Sequence, residues 1–127
     1  MGGVTPIRVF VCDDSPAFRD LLGMALTQDA SVAVVGEAED GSGLDALAEA
    51  APDVVLLDLN MPELGGLEAL PRLRELAPDA RVIVLSSFSA EEKEDAALAA
   101  GADRYMDKRA SFEQIRDAVK EVATPGA

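Results

Sequence analysis

Histidine is absent from the 127 residues, and cysteine occurs once, at Cys12. The first absence removes histidine-based triads, histidine-rich metal sites and phosphohistidine relays carried by the chain itself. Any phosphohistidine chemistry would have to come from a partner. The second absence rules out an internal disulfide and makes the cytoplasm the expected compartment. No apolar run approaches the roughly 20 residues of a membrane helix. The start, MGGVTPIRVF, lacks the basic opening and long apolar stretch of a secretory signal. Basic residues are few: 11 Lys and Arg stand against 24 Asp and Glu, a net charge of −13. Such a chain is repelled by phosphate backbones and anionic membrane surfaces, so neither nucleic acid nor membrane is expected as a direct partner. The charge suits cations or basic partners, and solubility alone would also account for it. There is no P-loop, no internal repeat and no low-complexity block.

What is present is a regular alternation. Apolar residues make up 49% of the chain, and a domain of this length buries about two thirds of its unfolded surface without a disulfide or metal. IRVFVC (7–12), SVAVVGEA (31–38), DVVLLD (53–58), RVIVLSS (81–87) and the short RYM (104–106) read as strands. Helical stripes follow each of them. The first is Phe18, Leu21, Leu22, Ala25 and Leu26, behind Ser15 as N-cap and Pro16 as first helical residue. Leu44, Leu47, Ala48 and Ala51 mark a second helix. Leu67, Leu70, Leu73 and Leu76 mark a third, with Pro71 expected to bend or delay its first turns. Ser89 and Glu92 form a capping box for the fourth, with Gly101 as its C-terminal cap. Ser111 and Gln114 form another box for the fifth, whose stripe is Phe112, Ile115, Val119 and Val122. Five strands alternating with five helices predict an α/β fold, a parallel sheet covered on both faces, with its site beyond the carboxyl ends of the strands.

Those ends carry the polar residues. Strand one stops at Asp13 and Asp14, strand three at Asp58, strand four at Ser86, and strand five passes through Tyr105 to Lys108. Each one alone reads as a turn former; the set, at the correct ends, does not. Three clustered carboxylates repel one another, and a hard divalent cation relieves this. Oxygen-only donors point to Mg²⁺, with Mn²⁺ possible. Asp58 can then act as a carboxylate nucleophile toward a phosphoryl group, with Lys108 and Ser86 stabilising its oxygens.

The motifs VCDDS, LLDLNMPELGG, VLSS and GADRYMDK, spread over about Arg8 to Val122, resemble the receiver domains of bacterial two-component response regulators. The resemblance implies a flavodoxin-like receiver fold with strand order 2-1-3-4-5 and Asp58 as phosphoacceptor. It implies Mg²⁺ held by Asp13, Asp14, Asp58 and the backbone carbonyl of Asn60. Ser86 is similar to the switch hydroxyl, Tyr105 to the switch aromatic, and Lys108 to the phosphoryl-binding lysine. The implied partners are a cognate histidine kinase or phosphotransfer protein, and a homodimer on phosphorylation. The whole of 1–127 is then one receiver domain, its core at about 7–122 and 123–127 a chain end or linker stump. VAVVGEAEDG and the non-proline residue after Lys108 are similar to receivers that precede helix-turn-helix output domains. Members of the family usually have a cis Lys-Pro bond there; with Arg109 in place of proline, a trans bond and a re-routed loop are expected.

Three other readings fit these residues less well. An aspartyl-phosphate hydrolase of the haloacid dehalogenase type needs an acid/base two residues after its nucleophile, and Asn60 cannot shuttle a proton. A flavodoxin-like flavin binder needs a Ser/Thr/Gly-rich loop after strand one, where this chain has CDDSPAF. A degenerate receiver that only binds a partner would not need the complete residue set. Cys12 reads as a small core residue and EEKED (91–95) as a solvated helix face. Phe88 either caps the core or overhangs the site.

Overall fold

The structure is a computed structural model, and it describes residues 5–59, 66–87 and 90–123. Its strands are β1 (Ile7–Cys12), β2 (Val32–Ala38), β3 (Val54–Asp58), β4 (Arg81–Ser86) and β5 (Arg104–Asp107). They form one parallel sheet in the order β2-β1-β3-β4-β5, the flavodoxin-like receiver order. The helices are α1 (Pro16–Thr27), α2 (Leu47–Ala50), α3 (Gly66–Leu76), α4 (Ala90–Ala99) and α5 (Phe112–Ala123).

The apolar runs are near-continuous because both faces of a parallel sheet are covered. The period of two divides them into two cores. Phe10, Val55, Leu57, Val82 and Val84 pack under α2, α3 and α4, together with Leu47, Leu70, Leu73 and Ala97. Val9, Val11, Val54, Leu56, Ile83 and Leu85 pack under α1 and α5, with Leu22, Leu26, Ile115 and Val119. The β1–β2 register shifts between Val9 and Phe10, and Gly36 there lies against the Phe10 ring: a Cβ on Gly36 would come within 2.6 Å of it.

Most local expectations hold. Ser15 accepts from Phe18 N with Pro16 next to it. Ser111 and Gln114 bond reciprocally at 2.9 and 3.1 Å. Gly101 caps α4 with a left-handed φ of 119°. The box formed by Ser89 and Glu92 falls on residues whose placement or side chains lie outside those described. Two expectations are corrected. The second helix is a 3₁₀ segment (Gly41–Ala46) followed by only four α-helical residues, and Ala51 is not part of its stripe but its left-handed cap, φ 45°. The cause is local: Asp40 caps a tight turn through Ser42 N, and Pro52 disfavours a helical conformation at Ala51. Of the bend or delay expected at Pro71, the delay is absent: α3 runs from Gly66 through the proline to Leu76, with Pro71 exposed and Leu70 and Leu73 buried. No peptide among the described residues is cis, so Lys108–Arg109 is trans. Arg109 holds the turn through Asp107, its N and Nη2 each 2.7 Å from that carboxylate. The Arg109 side chain lowers the Asp107 pKa to about 2. No helix among the described residues is long and apolar enough to cross a membrane.

Candidate functional site

At the carboxyl end of the sheet, β1 delivers Asp13 and Asp14 and the adjacent β3 delivers Asp58. One carboxylate oxygen of each lies within 4.8 Å of the others. Asp13 and Asp58 are each 1% exposed, whereas Asp14 faces solvent. Asp13 is held on every side of its backbone. Its N–H donates to the Ala38 carbonyl at 2.9 Å, and its Oδ1 accepts from Ser15 N at 2.8 Å. Its carbonyl accepts from Arg19 Nη1 at 2.6 Å.

Lys108 follows β5, and its backbone N donates to the Ser86 carbonyl at 2.8 Å. Its Nζ stands 2.8 Å from Asp13 Oδ2 and 3.4 Å from Asp58 Oδ2. The closer contact is an ion pair, and Asp13 Oδ2, which is buried, has no other partner among the described residues. Burial opposes the ammonium charge, and the carboxylates of Asp13 and Asp58 more than offset it, so the Lys108 pKa is raised. The same Nζ lies 4.5 Å from the centre of the Phe18 ring, a cation–π contact. Phe112 meets Phe18 edge-on, with ring centroids 5.9 Å apart.

Ser86 ends β4, fully buried. The alternation of β4 assigns it to the α3/α4 side of the sheet, and Asp58 to the α1/α5 side. Tyr105 packs against the α3/α4 core, and its hydroxyl is buried with no hydrogen-bond partner among the described residues. Asn60 and Phe88 lie outside the described residues. Cys12 is a buried core residue at the end of β1, and burial followed by the Asp13 charge raises its thiol pKa, leaving it unreactive.

The acidic cluster therefore comprises three oxygen donors, two of them offered from buried positions by Asp13 and Asp58. That donor set fits a hard divalent cation. Two neighbours were not legible as site residues. Phe18 reads as one more core position in the α1 stripe, and only the fold turns its ring under Lys108. Arg19 is an unremarked charge in the first turn of α1, and nothing in its spacing announces a bond to the Asp13 carbonyl.

Known proteins resemble this chain in sequence and fold. A family model for the response regulator receiver domain matches residues 9–120. The nitrate/nitrite response regulator protein NarL of Escherichia coli K12 is 36% identical over 97% of this chain and 57% of its own length. The chain thus spans little more than half of that relative. The signal receiver domain of the putative response regulator NarL from Mycobacterium tuberculosis superposes with a TM-score of 0.87 at 35% identity, covering 94% of this chain and 97% of that one. A response regulator from Burkholderia pseudomallei, solved with a phosphorylated aspartic acid, a calcium ion and citrate, gives a TM-score of 0.79 at 30% identity over 91% and 68% of the two chains. The family match, the sheet order and the acidic rim agree, and the chain belongs to the response regulator receiver domains of two-component signalling.

Proposed function

We propose that this receiver is a phosphorylatable switch with Asp58 as its acceptor. The observation that carries the reading is the placement of Asp58: a buried carboxylate at a strand end, 3.4 Å from a lysine ammonium and clustered with two further carboxylates. An Oδ atom of Asp58 forms the new bond to phosphorus as the donor's P–N bond breaks and the imidazole of a histidine kinase or phosphotransfer protein leaves. Water later breaks the acyl phosphate and restores the carboxylate. Lys108 holds its charge at the acceptor, and Ser86 offers a hydroxyl from the neighbouring strand end. Asp13, Asp14 and Asp58, with the carbonyl of Asn60, would hold Mg²⁺ or Mn²⁺. When bound, the cation supplies neutralisation of the phosphoryl oxygens. The phosphorylated aspartate and calcium ion of the Burkholderia pseudomallei relative support both assignments by analogy.

In this reading residues 1–127 form one receiver unit with its core at about 7–122, of the subgroup that precedes helix-turn-helix outputs. Phosphorylation draws Ser86 toward the phosphoryl group, and Tyr105 follows. The surface of α4, β5 and α5 then changes its affinity for a partner, a second copy included. The net charge of −13 argues against nucleic-acid binding by this chain itself. Treatment with acetyl phosphate and Mg²⁺ should add one phosphoryl mass to the wild type and none to Asp58→Asn. Equal labelling of both would overturn the assignment.

A further inference from the structure

Arg19 sits in the first turn of α1 and serves two acceptors. Its Nη1 donates to the Asp13 carbonyl at 2.6 Å and its Nε to Glu37 Oε1, near the end of β2, at 2.8 Å. Its side chain is only 15% exposed, against 47% for Glu37. The carbonyl it grips belongs to the peptide that joins Asp13 to Asp14. Rotation of that one peptide plane swings both carboxylates, so whatever fixes the plane fixes two of the three donors at once. The Asp13 N–H and Oδ1 are already engaged by Ala38 and Ser15, and the guanidinium supplies the remaining restraint. A planar fork can hold two acceptors at a set angle; a lysine cannot.

We propose that Arg19 is a positioning residue for the cation site, locking the Asp13–Asp14 peptide by a strut to Glu37. The inference rests on the metal reading given above. Two effects of Arg19 oppose each other. Its positive charge would repel a divalent cation, while its hydrogen bond spares the cation the work of ordering a turn whose carboxylates repel one another. Glu37 neutralises the charge at contact distance, so the ordering effect dominates and Arg19 strengthens cation binding.

The sign is directly measurable. Mg²⁺ is titrated calorimetrically into the unphosphorylated full chain as wild type, Arg19→Ala, Arg19→Lys and Glu37→Gln, and acetyl phosphate labelling is followed across the same Mg²⁺ range. The dissociation constant should rise roughly three- to tenfold in both Arg19 variants, the range of one typical net hydrogen bond, and less in Glu37→Gln. Labelling at saturating Mg²⁺ should return to the wild-type level, which a general loss of structure would prevent. Unchanged or tighter binding in folded Arg19 variants would overturn the proposal. Should Arg19→Ala fail to fold, Arg19→Lys and Glu37→Gln decide it. A wild type that shows no saturable Mg²⁺ binding would overturn the metal reading and this inference with it; a binding wild type with unshifted variants would reject the role of Arg19 alone.

Discussion

Lys108 and Phe18 form a cation–π pair, the ammonium 4.5 Å from the ring centre, and Phe112 braces the ring edge-on. The lysine is thereby held from below while its charge faces the carboxylates. Such contacts contribute about 0.5–2 kcal/mol. Phe18→Leu keeps an apolar side chain but removes the π face. We expect it to slow labelling of Asp58 by roughly two- to thirtyfold on that scale, with Phe18→Tyr close to wild type. Initial rates with acetyl phosphate at saturating Mg²⁺ measure this, and an unchanged rate in Phe18→Leu would remove Phe18 from the site.

Asp14 is the exposed member of a cluster whose other two carboxylates are buried. Asp14→Ala should therefore weaken Mg²⁺ binding without harming the fold. In the absence of metal it should raise the melting temperature slightly, because one of three mutually repelling charges is gone. Calorimetric titration and metal-free melting test the two halves; unchanged Mg²⁺ affinity would exclude Asp14 as a ligand.

Asp29 ties the α1–β2 connection to α5. Its Oδ2 accepts from Lys120 Nζ at 2.8 Å, and its Oδ1 accepts from Ser31 N at 2.9 Å and Ser31 Oγ at 2.6 Å. The Lys120 bond, then those of Ser31, hold its pKa well below the usual carboxylate range. A carboxyl whose folded pKa is depressed stabilises the fold above its unfolded pKa, about 3.9, and that stabilisation is lost as pH falls through the folded value. Asp29→Asn should be less stable than wild type at neutral pH, with the gap closing as pH drops below about 4. Urea unfolding across pH measures it, and a gap independent of pH would contradict the linkage.

Tyr105 buries a hydroxyl without a hydrogen-bond partner among the described residues. Removing an unsatisfied buried hydroxyl while keeping the ring should stabilise the unphosphorylated fold, by about 1 kcal/mol. Tyr105→Phe should therefore unfold at higher urea and still label at Asp58. Tyr105→Ala should also label, but lose the coupling of labelling to partner binding. Loss of labelling in Tyr105→Ala would make it a site residue and not a switch.

The sheet and the rim were legible because each rests on a repeating local signal. Val54 to Leu57 form an apolar run that must be buried on both faces, and it ends on a carboxylate whose burial calls for a partner charge, here Lys108. The caps at Ser15, Gly101 and Ser111 are set by neighbours a few residues away. The shortened second helix was missed because the leucine spacing of Leu44 and Leu47 suits a 3₁₀ turn and an α-helix alike. Pro52 ends the helix at a position where the alanines around it give no warning. The roles of Phe18 and Arg19 depend on residues 90 and 6 positions away. One is a contact between opposite ends of the chain and the other a bond to a backbone atom, and residue type encodes neither.

The register of β3 is itself a chemical specification. Val54 and Leu56 face α1 and α5, Val55 and Leu57 face α2, α3 and α4, and the count continues to Asp58 on the side of Lys108. Insertion or deletion of a single residue in this strand would send the carboxylate to the opposite side. There it would lose the ammonium of Lys108, which lies on the side that Asp58 now faces. The pairings Val9↔Val54 and Asp58↔Leu85 pin both ends of the strand. A one-residue insertion or deletion would thus keep a foldable hydrophobic pattern of the wrong parity, chemically silent before it was structurally unsound.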